Sequence, residues 1–122
     1  MRIMLADNRR KVRFALRALL EQQSGLEVIG EAIDAQDLMA CVENSCPDVV
    51  LLDWELPGMA THDLLSALRS RCPELLIIAL SGRVSGRREA LDAGVDAFVS
   101  KGEPPERLLS AINRCEKGCC AS

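Results

Sequence analysis

Short, unbroken apolar runs alternate with amphipathic stretches five times along this chain. That alternation restricts the fold more than any other property of the sequence. Residues 2–7 form an apolar run that ends in an acid. Residues 9–23 carry Val12, Ala15, Leu16, Leu19 and Leu20 at helical spacing, which predicts a helix stopped by Ser24-Gly25. Residues 26–32 predict an edge-like strand, with Leu26, Val28 and Gly30 on one face and Ile29 on the other. Residues 35–44 predict a second helix through Leu38, Cys41 and Val42. Residues 49–53 are β-rich and wholly apolar up to the final acid, the mark of a strand buried on both faces, and Pro57-Gly58 follows as a turn. A third helix over 62–71 is closed by Cys72-Pro73, and 75–80 is another doubly buried strand. A short helix over 85–93 ends at Gly94, residues 95–100 make a fifth strand, and 104–116 opens on prolines as a last helix.

Strand and helix in strict alternation imply a mostly parallel sheet with helices on both faces. Five units are too few for an eight-fold barrel, so an open, doubly wound α/β sheet of (βα)5 form is expected. The 122 residues suffice for one domain, placed at 1–116, with 117–122 as a C-terminal tail. A chain of this length needs no disulfide or metal staple. The N-terminus lacks the h-region of an export signal, so a cytoplasmic protein with its six cysteines reduced is expected. Cys41 and Cys115 fall on apolar helical stripes and read as core. Cys115, Cys119 and Cys120 together match no zinc template, and the end of the chain that holds Cys119 and Cys120 reads as a frayed tail. No apolar run is long enough to cross a bilayer. Fifteen basic against eighteen acidic residues give a net charge of −3, which argues against nucleic-acid binding by this domain. Aromatics amount to 2%: Phe14, Trp54 and Phe98. Base-stacking platforms are therefore nearly excluded as well.

Ligands of open parallel sheets bind beyond the carboxyl ends of the strands. The first strand ends in Asp7-Asn8, the third in Asp53 with Trp54 and Glu55 after it, the fourth in Ser81-Gly82 and the fifth in Ser100-Lys101. Asp and Asn are common at strand ends for turn chemistry alone, but four polar ends on one edge suggest a site. Acids gathered there favour a hard cation such as Mg2+. With a lysine and a hydroxyl beside them, they suit transfer of a phosphoryl group to a carboxylate. A flavin or nucleotide site would need a glycine-rich loop after the first strand, where Asp7-Asn8-Arg9-Arg10 stands instead. His62 has no partner in the sequence. Arg83, Arg87 and Arg88 form either a docking patch or a solvated charged face.

The stretch Pro47-Asp48-Val49-Val50-Leu51-Leu52-Asp53-Trp54-Glu55-Leu56-Pro57-Gly58-Met59 resembles the phospho-acceptor segment of CheY-like receiver domains of bacterial two-component response regulators. Ala93-Gly94-Val95-Asp96-Ala97-Phe98-Val99-Ser100-Lys101 is similar to the family segment that holds its aromatic switch residue and its lysine. Leu26-Glu27-Val28-Ile29-Gly30-Glu31-Ala32 looks most like the NarL/FixJ subgroup, whose members carry a LuxR-type DNA-binding domain. The resemblance implies a flavodoxin-like sheet of strand order 2-1-3-4-5. It implies Asp53 as phospho-acceptor, and Mg2+ held by Asp7, by the position of Asn8, by Asp53 and by the carbonyl of Glu55. It implies Ser81 as switch hydroxyl, Phe98 as rotating aromatic and Lys101 as partner of the phosphoryl group. The implied partners are a sensor histidine kinase or phosphotransfer protein and a downstream output domain or protein, with a homodimer left open. The resemblance implies a phosphorelay signalling module rather than a conventional enzyme, either a stand-alone relay protein or the N-terminal part of a transcription regulator.

Asn8 departs from the family, which has an acid there, and its missing charge predicts weaker Mg2+ binding unless the Glu55 side chain compensates. A phosphorylation-independent interaction module on the same fold is the alternative that Asn8 favours. Ala60-Thr61 also replaces the usual Asp-Gly, Gly102 follows Lys101, and the segment from Ser81 to Lys101 is slightly short.

Overall fold

The apolar run Val49–Asp53 forms β3, the middle strand of the sheet, and all five of its residues are buried. The computed structural model describes residues 1–118. Around β3 lie β1 (Arg2–Ala6), β2 (Glu27–Ala32), β4 (Leu76–Ser81) and β5 (Ala97–Ser100), all parallel, in the order β2-β1-β3-β4-β5. Five helices alternate with them: α1 (Arg10–Glu21), α2 (Ala35–Asn44), α3 (Thr61–Arg71), α4 (Arg87–Asp92) and α5 (Pro105–Glu116). The expected doubly wound topology is therefore the one adopted.

Side chains of a strand alternate between faces, so each apolar strand feeds two cores. Val50 and Leu52 of β3 pack with Leu38 and Val42 of α2 and with Leu64, Leu65 and Leu68 of α3. Val49 and Leu51 face the other way, toward Leu20 of α1 and Leu108 and Ile112 of α5. Burying such side chains on both faces is the main favourable term of the fold, roughly 1.5–3 kcal/mol for each large aliphatic residue.

Three expectations change. Leu26 and Val28 share the α1–α5 face, but Gly30 does not join them, because the pairing of β1 with β2 shifts register between Ile3 and Met4. Val28 joins the α1–α5 core while Ala32 joins the α2–α3 core. A side chain at Gly30 would meet Met4, so glycine leaves that methionine its room. The fourth helix and fifth strand are both shorter than their apolar patterns. A 3-10 turn over Val84–Gly86 precedes α4. After α4, Gly94 takes a positive φ of 102° and Val95 N–H closes on the Ala90 carbonyl. Only from Ala97 does the chain pair as β5.

The third change concerns the cysteines. Cys46, in the α2–β3 loop, and Cys72, at the end of α3, form a disulfide with a Cα–Cα distance of 5.8 Å. Reduced thiols throughout were expected because nothing along the chain pairs these positions; the crossover from α2 to α3 brings them together. Cys41 is half-buried and Cys115 is buried, as their stripes implied. Burial, and secondarily Asp37, pushes the Cys41 thiol pKa up, which makes it a poor nucleophile. Cys119 and Cys120 lie outside the described residues. Among the described residues no helix is long and apolar enough to cross a membrane.

The edge strand β2 is secured by charge. Glu31 accepts from Arg13 Nε and from Arg17 Nε, each at 2.8 Å, and Arg17 also reaches Glu21 at 3.0 Å. Partial burial works to raise the Glu31 pKa, but the hydrogen bonds from Arg17 and Arg13 outweigh it and hold the group below its ordinary 4.5. A depressed folded-state pKa stabilises the fold above the unfolded value, and that contribution is lost as pH falls through the folded value. Glu31→Gln is therefore expected to cost about 1 kcal/mol near neutrality, discounted for exposure. Its stability gap to wild type should close on acidification below 4.5, and urea titrations at several pH values will read this.

Candidate functional site

The ladder of β1 continues one residue past its end, where Asp7 N–H donates to the Ala32 carbonyl at 3.0 Å. This sets the Asp7 carboxylate, 2% exposed, at the carboxyl edge of the sheet. Its Oδ1 accepts from Arg9 N–H at 2.8 Å, and its Oδ2 lies 2.7 Å from Lys101 Nζ. Arg13, the partner of Glu31, also donates to the Asp7 carbonyl at 2.8 Å, so α1 and β2 together hold this turn. Asp53 ends β3 and is 5% exposed. Its Oδ1 accepts from Glu55 N–H at 3.1 Å and lies 3.4 Å from the same Lys101 Nζ. Lys101 leaves β5 with its N–H on the Ser81 carbonyl at 2.8 Å, which aims its ammonium across the ends of three strands. One cation thus serves two buried carboxylates.

Ser81 ends β4, is buried, and accepts at Oγ from Arg83 N–H at 3.0 Å. Phe98 is buried in the α2–α3 core with Trp54. The Arg87 guanidinium lies 6.0 Å from the Phe98 ring centroid, within cation–π range. Asn8 is exposed beside Asp7. Glu55 is also exposed, and its side chain pairs with Arg83 at 3.3 Å rather than turning to Asp53. The β3–α3 loop is clamped to α2: Ala35 N–H donates to the Pro57 carbonyl at 2.9 Å and Gln36 Nε2 to the Gly58 carbonyl at 2.6 Å. At Gly58 φ is +108°, a conformation that favours glycine, and a Cβ would also lie 3.2 Å from the Ala35 backbone nitrogen.

The structure thus gathers Asp7, Asp53, Lys101 and Ser81 at one edge. Asn8 and Glu55 lie at its rim, and Phe98 lies beneath the neighbouring loop. Sequence reasoning missed Arg13 behind Asp7 and Glu89 beside Trp54, and it grouped Arg83 with Arg87 although they serve different partners. No spacing rule could have found these pairs, because each joins separate elements of the fold.

A parallel five-stranded sheet of this order, with two acids, a lysine and a hydroxyl at its carboxyl edge, defines a flavodoxin-like receiver. The chain belongs to the response regulator receiver domain family, whose model matches residues 3–113. It is 35% identical over 118 residues to the nitrate/nitrite response regulator protein NarP of Escherichia coli, covering 95% of this chain and 55% of NarP. Identity to the transcriptional regulatory protein DesR of Bacillus subtilis is 28% over 116 residues, covering 95% of this chain and 58% of DesR. The chain therefore spans little more than half the length of these relatives. The isolated receiver domain of RcsB from Salmonella enterica, solved with the phosphomimetic BeF3−, superposes with a TM-score of 0.88 at 27% identity, covering 97% of this chain and 89% of that one. A LuxR-family two-component response regulator from Aurantimonas gives 0.87 at 29% identity, covering 96% and 85%. The likeness is to receivers of LuxR-type regulators, as residues 26–32 suggested.

Proposed function

We propose that the domain takes a phosphoryl group onto Asp53 from a phosphohistidine of a sensor kinase or phosphotransfer protein, and that the aspartyl phosphate alters its output surface. The observation that carries this reading is the unequal state of the two Asp53 oxygens. Oδ1 is committed to Glu55 N–H and Lys101, whereas Oδ2 accepts no hydrogen bond among the described residues. Oδ2 is therefore the oxygen open to phosphorus. In the transfer, Oδ2 forms the new P–O bond as the P–N bond of the donor breaks, and the imidazole keeps the electron pair and takes up a proton. Lys101 Nζ neutralises charge on the phosphoryl oxygens, and the Ser81 hydroxyl turns to donate to one of them.

The edge presents oxygen donors without thiolate or imidazole, a set that fits a hard divalent cation. Asp7, Asp53 and the Glu55 carbonyl, with the Asn8 amide oxygen, would hold Mg2+. When bound, it offsets the negative charge that builds between carboxylate and phosphoryl group. Because Asn8 lacks a charge and Glu55 is paired with Arg83, the metal requirement is expected to be raised. Movement of Ser81 toward the phosphoryl group frees space for Phe98, and the face of α4, β5 and α5 changes its affinity for a partner. The likeness to NarP and DesR supports a receiver that governs a DNA-binding output domain.

Labelling with a small acyl phosphate over a series of Mg2+ concentrations tests the reading. Wild type should be labelled at elevated Mg2+, and Asp53→Asn should not be labelled at all. Wild type left unlabelled at every Mg2+ concentration overturns it and supports the second reading, favoured by Asn8, of a phosphorylation-independent interaction module.

A further inference from the structure

Trp54, the residue after Asp53, is anchored on two sides by its backbone. Its N–H donates to the Leu80 carbonyl of β4 at 2.7 Å, and its carbonyl accepts from Thr61 Oγ1 of α3 at 3.4 Å. The indole is 7% exposed, and its Nε1–H donates to Glu89 Oε1 of α4 at 3.3 Å. α4 is the weaker partner in this bond. It has six residues, buries only Ala90, and starts at Gly86 without a side-chain cap. A helix that short does not persist by its own hydrogen bonds, so tertiary contacts hold it in place.

The entrance to α4 lies over the switch residues. A Cβ on Gly86 would be 3.4 Å from Trp54 Cδ1, 3.8 Å from Ser81 Oγ and 3.9 Å from Phe98 Cε2. Trp54, Ser81 and Phe98 therefore converge under a single backbone position. If Ser81 moves toward a phosphoryl group and Phe98 follows, the floor beneath Gly86 changes shape. The Trp54 backbone is held by β4 and α3, so a shift of α4 moves Glu89 relative to the Trp54 backbone and strains its bond to the indole.

We infer that Trp54 and Glu89 form a tether that holds α4 in its unphosphorylated position and opposes the switch, making both of them positioning residues for the response to phosphorylation. This rests on the phospho-acceptor reading of Asp53. A contact present in only one of two states biases the equilibrium by its own net strength. A hydrogen bond contributes a net 0.5–1.5 kcal/mol, so its loss should tighten binding of a phosphoryl analogue about two- to twelvefold.

The test is BeF3− affinity in the presence of Mg2+, measured by calorimetry on wild type, Glu89→Ala, Trp54→Phe, the double variant and Glu89→Gln. Glu89→Ala and Trp54→Phe should each tighten binding by about two- to twelvefold, and the double variant should gain no more than either alone. Glu89→Gln, which keeps an acceptor oxygen, should stay close to wild type. Without analogue, hydrogen exchange at residues 87–92 should quicken in Glu89→Ala and Trp54→Phe but not in Glu89→Gln. Unchanged affinity in Glu89→Ala, additive effects in the double variant, or unchanged exchange overturns the tether while Asp53 chemistry stands. Failure of wild type to bind BeF3− overturns the phospho-acceptor reading and the coupling with it, whatever the exchange rates show.

Discussion

Replacing Lys101 with methionine is expected to lower the unfolding free energy by about 3 kcal/mol. It should also weaken BeF3− binding by more than tenfold. Lys101 Nζ lies 2.7 Å from Asp7 and 3.4 Å from Asp53, and it is the cation that both buried carboxylates share. A hydrophobic side chain at residue 101 fills similar space but leaves two negative groups facing each other at the edge of the core. Removing one partner of a buried pair costs more than the pair contributes, because the remaining charge keeps its desolvation penalty. For a domain of this size the loss corresponds to a fall in Tm of roughly 10 °C. Asp7→Asn added to Lys101→Met removes one of the stranded charges and should recover part of the stability, but not the analogue binding. Chemical denaturation of the single and double variants measures this. Wild-type stability in Lys101→Met would show that the ammonium does not compensate the acids.

The second large effect comes from the disulfide. Cys46 and Cys72 are separated by 26 positions, and the loop they close contains β3, the β3–α3 turn and α3. Linking them restricts the unfolded chain, and a loop of that length is worth about 3.5 kcal/mol in the chain-entropy account. Cys46→Ala, at an exposed position, should lose about that much stability relative to oxidised wild type. A dithiol reductant should lower the wild-type midpoint to the level of the variant and leave the variant unchanged. A wild-type midpoint insensitive to reductant would contradict the prediction. The edge that carries Asp53 lies at the opposite ends of the strands, so the proposed Asp53 chemistry should survive reduction.

The fold was legible from one-dimensional signals because strands and helices write their burial into periodicity. Val49–Asp53 reads as a doubly buried strand, since a central parallel strand has no polar face to display. Leu64, Leu65 and Leu68 mark the inward stripe of α3 for the same reason. The signal failed where backbone geometry broke the period. The register shift opposite Ile3 moved Gly30 to the other face, and Gly94 and Val95 closed α4 before β5 began. At the site, the residues at the strand ends could be picked out because a parallel sheet places all its carboxyl ends on one edge.

The sequence by itself determined the alternating architecture, the edge on which the polar groups meet and the residue types available there. Those follow from local periodicity and chain direction, which need no partner to be read. Only the tertiary structure decided which atoms face each other. It put Lys101 between two carboxylates, turned the Glu55 side chain to Arg83, joined Cys46 to Cys72 and set Trp54 against Glu89. Each of these pairs joins separate elements of the chain, and its geometry is set by how whole helices pack on the sheet. No neighbouring residue carries that information.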